Sequence, residues 1–170
     1  GAAAERLEHT ASVVAEEAVV AAYLRRAAGH WMADGKPERA ISAIKRALSD
    51  AGETVLAREE LSEAYQAAGR WSEAAAVLRE AAGETSDPAL RDVLLYRSAR
   101  VSVGEADDVE GAESAYLEIL ASSPDFLAAS LDLRDIYDER GDHTGLGSLQ
   151  KTEAEACVDA DVRSWLHLGA

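Results

Sequence analysis

The chain has 170 residues, 48% of them hydrophobic but only 5% aromatic, with three prolines and a formal net charge of −15. That length suits one continuous core or a short array of stacked repeats, and the carboxylate surplus repels phosphate backbones, which excludes general nucleic-acid binding. A single cysteine, Cys157, excludes an intrachain disulfide and a multi-cysteine metal site.

Alanine dominates the apolar residues, β-branched runs are short, and the expectation is an all-α protein. Residues 1–15 read as an N-terminal helix, Glu5-Arg6-Leu7 onward, packing on the first hairpin. The opening Gly1-Ala2-Ala3-Ala4-Glu5 lacks a basic-then-apolar leader, and with the lone cysteine this gives a cytoplasmic reading. The longest uncharged apolar run, Ala18 to Leu24, is far short of the ~20 residues a membrane helix needs.

Next comes a repeat. Gly35-Lys36-Pro37-Glu38-Arg39-Ala40 aligns with Gly69-Arg70-Trp71-Ser72-Glu73-Ala74 at an offset of 34 residues. At the same offset Trp31 meets Tyr65, Ile44 meets Leu78, and Ala47 meets Ala81. Glycine tolerates the left-handed conformation that closes a helix, and Pro37 suits the first turn of the next. Ala40 and Ala74 are small because two helices cross there, whereas Ala75 falls outside the motif. The acidic surplus is uneven: residues 1–50 hold seven basic and seven acidic side chains, and residues 51–170 hold ten and twenty-five.

This spacing resembles the tetratricopeptide repeat, with its Ala-x3-large-x2-Ala second helix. The resemblance implies a right-handed superhelical solenoid of antiparallel helix hairpins, about four of them over residues 16–158. The third unit carries Ala112-x3-Tyr116-x2-Ile119, a lengthened turn at Glu105-Ala106-Asp107-Asp108 after Gly104, and Pro124 at the closing position. In the fourth, Leu133, Tyr137 and Gly141 keep the first-helix pattern, and Leu146 stands where alanine is expected. Gly145 and Gly147 flank Leu146, so 141–147 reads as a flexible turn and the following helix as the least secure element. Trp165-Leu166-His167-Leu168-Gly169 then matches the family's opening W-x-x-L-G. Residues 159–170 therefore read as the start of a further repeat, in a piece of a longer protein, or as a capping helix.

Catalytic and metal constellations are not found in the sequence. His9, His30, His143 and His167 lack zinc-site spacing, and phosphate-loop, dinucleotide and nucleophile-elbow motifs are missing. Adjacent carboxylates such as Glu59-Glu60 and Asp138-Glu139 are read as solvated helix faces. No cofactor is expected.

The resemblance implies that first helices line a concave groove and second helices the convex side. Carried over by position, Arg25, Gly29 and Met32 face the groove from the first unit, Glu59, Glu63 and Gln66 from the second, and Leu131, Asp135 and Asp138 from the fourth. The expected function is a non-catalytic protein–protein interaction module that binds a peptide or protein segment, with a basic one favoured by the acidic floor. The lysine and asparagine positions that grip chaperone C-terminal tails hold Arg25, Gly29, Glu59 and Glu63, so no such tail is expected to bind. An accessory segment contacting a neighbouring domain of a larger enzyme or signalling protein is the alternative. The convex face, with Lys36, Arg39, Lys45 and Arg46 near one end, is a second surface.

Overall fold

The computed structural model describes residues 1–14, 16–51, 55–104 and 108–168, and their side chains except at positions 50, 51 and 157–168. Every regular element among them is an α-helix: α1 (Ala2–Val13), α2 (Glu17–Ala33), α3 (Pro37–Ala51), α4 (Val55–Ala67), α5 (Trp71–Glu84), α6 (Pro88–Gly104), α7 (Val109–Ser122), α8 (Leu127–Arg140) and α9 (His143–Leu168). The chain divides into two compact units, residues 1–106 and 107–170. The division falls inside the stretch read as a third hairpin, whose lengthened turn lies outside the described residues apart from Asp108.

In the first unit α2 pairs with α3 and α4 with α5, while α1 packs on α2. The hairpin turns share one geometry. Gly35 and Gly69 have φ of 68° and 72°. The next N–H reaches back to the aromatic carbonyl, Lys36 to Trp31 and Arg70 to Tyr65, each at 2.9 Å. The glycine N–H bonds the carbonyl three residues earlier, Met32 or Gln66. This paired closure satisfies the carbonyls a helix end leaves open, and it needs glycine because a Cβ disfavours positive φ. Gly104, by contrast, ends α6 without a left-handed backbone.

The alanines of the motif do what the spacing predicts. Ala40 and Ala74 are fully buried, as are Trp31, Ile44 and Leu78, and burying a large aliphatic side chain stabilises by about 1.5–3 kcal/mol. Ala75 is also buried, contrary to expectation. Its carbonyl accepts from Ser98 Oγ of α6 at 2.8 Å, so α5 turns this side to the following helix. Residue 76 is the outward one.

Helix α1 carries the same pattern as the second helices. Ala4 and Ala11 are buried, and between them Glu8 stands where α3 has Ile44 and α5 has Leu78. In place of an aliphatic contact, Glu8 Oε1 accepts from the buried Trp31 indole N–H at 2.9 Å. Ala4-x3-Glu8-x2-Ala11 is therefore a second-helix motif with a carboxylate at its centre.

In the second unit α7 pairs with α8 and α8 with α9. Asp108 caps α7 by accepting from the Gly111 N–H at 2.9 Å. Gly141, with φ of 66°, repeats the paired closure, and Asp142 N–H reaches the Tyr137 carbonyl at 2.9 Å. As in the other two hairpins, the next helix begins two residues after the glycine, and here Asp142 caps α9 by accepting from the Thr144 and Gly145 N–H groups at 3.1 and 3.0 Å. The small residue against α8 is Gly145, one place before Leu146. A Cβ on Gly145 would lie 2.8 Å from Tyr137 Cε1, so glycine is what lets α9 approach the ring. The segment read as a flexible turn is the well-capped first turn of a helix, and α9 continues unbroken through residue 159 to Leu168.

Candidate functional site

The residues assigned to the groove fall into two sets, one in each unit. In the first unit, charged side chains on the first helices are tied to one another. Arg25 of α2 grips the Glu60 carboxylate of α4 with two hydrogen bonds, at 2.7 and 2.6 Å. That bond holds the guanidinium pKa above the ordinary arginine value, against the opposing effect of its partial burial. Glu59 of α4 in turn pairs with Arg97 of α6. Arg25, Glu60, Glu59 and Arg97 thus form two bridges that link three successive first helices along one face.

The acidic floor expected here is therefore already partly neutralised. Glu59 meets a cation of its own chain, and only Glu63 is an exposed carboxylate among the three positions assigned to α4. Gln66 donates to Ser62 Oγ at 3.3 Å, and Ser62 donates to the Ala74 carbonyl at 3.1 Å. Gly29 is exposed with open space above it. Met32 is only half exposed and packs on the core that holds Trp31, Ile41 and Tyr65, so it is a wall residue more than a free anchor.

The basic residues of the convex reading are also engaged. Lys36 and Arg39 lie 5.1 and 4.6 Å from the centre of the Trp31 ring, and Lys45 and Arg70 lie 5.4 and 4.7 Å from that of Tyr65. Cations over an aromatic face are attracted by its quadrupole, so these side chains cover the hairpin ends.

The second unit is more open. Helix α8 exposes Leu127 and Leu131, 67% and 46% accessible, one turn apart on the same stripe. They border a cleft of about 460 Å³ between α8 and α9, lined also by Pro124, Ser130, Arg134, Glu153 and Ala156. The guanidinium in its wall is bound internally: Arg134 Nη2 donates to both Glu153 oxygens at 2.7 and 2.6 Å, and Ser130 Oγ donates to the same carboxylate. Further along α8, Asp135 and Asp138 are exposed.

Leu131, Asp135 and Asp138, assigned from the sequence to the groove, are exposed on α8, and sequence reasoning missed Leu127, Arg134 and Glu153 around them. Leu127 could have been found, since it precedes Leu131 by four residues. Glu60 and Arg97 carried a signal too, lying 35 and 38 residues after their opposite charges, about one repeat further on.

Among the described residues no cluster of three His, Cys, Asp or Glu is placed to hold a metal, and no helix is long and apolar enough to cross a membrane. The side chains of Cys157, Trp165 and His167 lie outside the described residues.

Residues 32–94 match the tetratricopeptide repeat family model. No curated protein sequence matches the chain. Two solved structures of MamA have a similar fold. One is 16% identical with a TM-score of 0.63, covering 93% of this chain and 88% of that one. The other is 18% identical with a TM-score of 0.58, covering 79% and 72%.

Proposed function

We propose, from the tetratricopeptide repeats at residues 32–94 and a fold shared with MamA, that the chain is a non-catalytic interaction module whose first helices receive a segment of a partner protein. The observation that carries this reading is the pair of leucines, Leu127 and Leu131, left exposed over a cleft on a first helix. Exposed apolar surface of this kind, rimmed by polar groups, marks interaction sites. Of the nine assigned positions, Gly29, Glu63, Leu131, Asp135 and Asp138 are exposed for contact, while Arg25 and Glu59 contribute a pre-arranged row of charge.

A basic segment suits the remaining carboxylates. Each exposed ion pair contributes only about 0–1 kcal/mol, so the charges steer and orient while apolar contact supplies affinity. The reading is tested by reversing Glu59, Glu63, Asp135 and Asp138 together to lysine and comparing the proteins captured with those of the unaltered chain. Partners are expected to be lost, and the association rate of the unaltered chain to fall as salt rises. An unchanged set, with helical content preserved, would rule the first-helix face out as the binding surface.

A further inference from the structure

We infer that the cleft between α8 and α9 takes a partner helix with two aliphatic side chains one turn apart and two basic side chains about two turns further along; this rests on the interaction role proposed above. Leu127 and Leu131 form a ridge of the i, i+4 kind into which another helix packs at an interaxial distance of about 8–10 Å. Pro124 and Ala156 extend the apolar wall, and the cleft of about 460 Å³ is open to receive side chains.

The polar half of the same surface fixes the charge of the occupant. Residues 107–170 contain four basic side chains against fifteen acidic ones. Three of the four are in ion pairs within the unit: Arg134 with Glu153, Arg140 with Glu113, and Lys151 with Glu155. Asp135 and Asp138 have no ion-pair partner among the described residues. At 1.5 Å rise per residue, the midpoint of this acidic pair lies about 11 Å along α8 from that of the leucines. Two turns of a partner helix span the same distance, so one rigid segment can satisfy both halves at once. Anionic lipid and nucleic acid are repelled by the surrounding charge. A second copy of this unit offers no unpaired cation among its described side chains.

The test uses the full chain and two synthetic helical peptides, each with a leucine pair at i, i+4 and a lysine pair centred about seven residues away, in the two possible orders. Fluorescence anisotropy is expected to show binding of one order, weakened at least tenfold when its lysines become glutamates or its leucines alanines. The Asp135→Lys, Asp138→Lys double variant should invert the preference and select the glutamate peptide, a gain that misfolding cannot imitate. Binding indifferent to peptide charge, or a preference the double variant leaves in place, would overturn the assignment. So would self-association in sedimentation abolished by Leu131→Asp, which would make a second copy the occupant. If instead unrelated peptides bind at α2 and α4 and neither designed peptide binds, this inference fails while the interaction role stands; if no peptide of any kind binds, both fail.

Discussion

Glu8 is the residue whose role departs most from its type. Its position in α1 matches Ile44 and Leu78 in α3 and α5, yet it is a carboxylate that satisfies the buried indole of Trp31. Removing the acceptor leaves a buried donor without its partner, which costs about 1–3 kcal/mol. Glu8→Ala is therefore expected to lower the melting temperature by several degrees, and Glu8→Gln, which keeps an acceptor oxygen, by less. Differential scanning calorimetry on both variants checks this, and equal losses would show that the bond to Trp31 contributes nothing. In the sequence α1 does not stand out as a second helix, because the motif calls for a large apolar residue between the two alanines. Polarity hides a position that geometry treats as core.

At the scale of the helix, the alanine rule was legible and its edges were not. Ala40 and Ala74 are buried as their spacing required, because close helix crossing leaves no room for a larger side chain. Ala75 was misplaced, since a second helix of an array is covered on two sides and its buried stripe is wider than the motif. The informative contrast is thus Ala74→Leu against Ala76→Leu. Overpacking costs about 1–3 kcal/mol, and in a chain of this length 1 kcal/mol lowers the melting temperature by roughly 2–4 °C. Ala74→Leu should show that loss and Ala76→Leu next to none, with Ala75→Leu resembling Ala74→Leu. Thermal denaturation followed by circular dichroism measures all three, and a destabilised Ala76→Leu would mean the stripe has been drawn on the wrong face. The turn glycines were equally legible, because positive φ leaves few alternatives at Gly35, Gly69 and Gly141. The ion pairs that cross between first helices were not, because opposite charges become partners only once the stacking of repeats is known.

Across the whole chain, the acidic surplus falls mostly in the second unit: residues 1–106 hold thirteen basic and seventeen acidic side chains, and residues 107–170 four and fifteen. The first unit balances much of its acid with arginines that bridge helices, Arg25, Arg58 and Arg97 among them. Arg58 is the most deeply placed, 7% accessible and bonded to Glu80 and Glu84 at 2.8 and 2.6 Å. The second unit has few cations to do the same, and Asp135 and Asp138 are left exposed on α8. A search for basic partners is accordingly best directed at the second unit, where the candidate residues Leu131, Asp135 and Asp138 read from sequence all lie on α8.

The close approach of α9 to the Tyr137 ring couples two positions in their mutational history. A Cβ on Gly145 would lie 2.8 Å from Tyr137 Cε1, and the ring is itself buried. Side-chain size at residue 145 and the aromatic at residue 137 are therefore not independent characters. Gly145→Ala alone should destabilise despite alanine's better helix propensity, and Tyr137→Leu alone should leave space beside the glycine. Made together, they should lose less stability than the sum of the two. Chemical denaturation of the four members of this cycle would measure the coupling directly, and simple additivity would disprove it. On this view a side chain at residue 145 becomes tolerable only on a background that already lacks the ring, so the order in which such changes can arise is constrained.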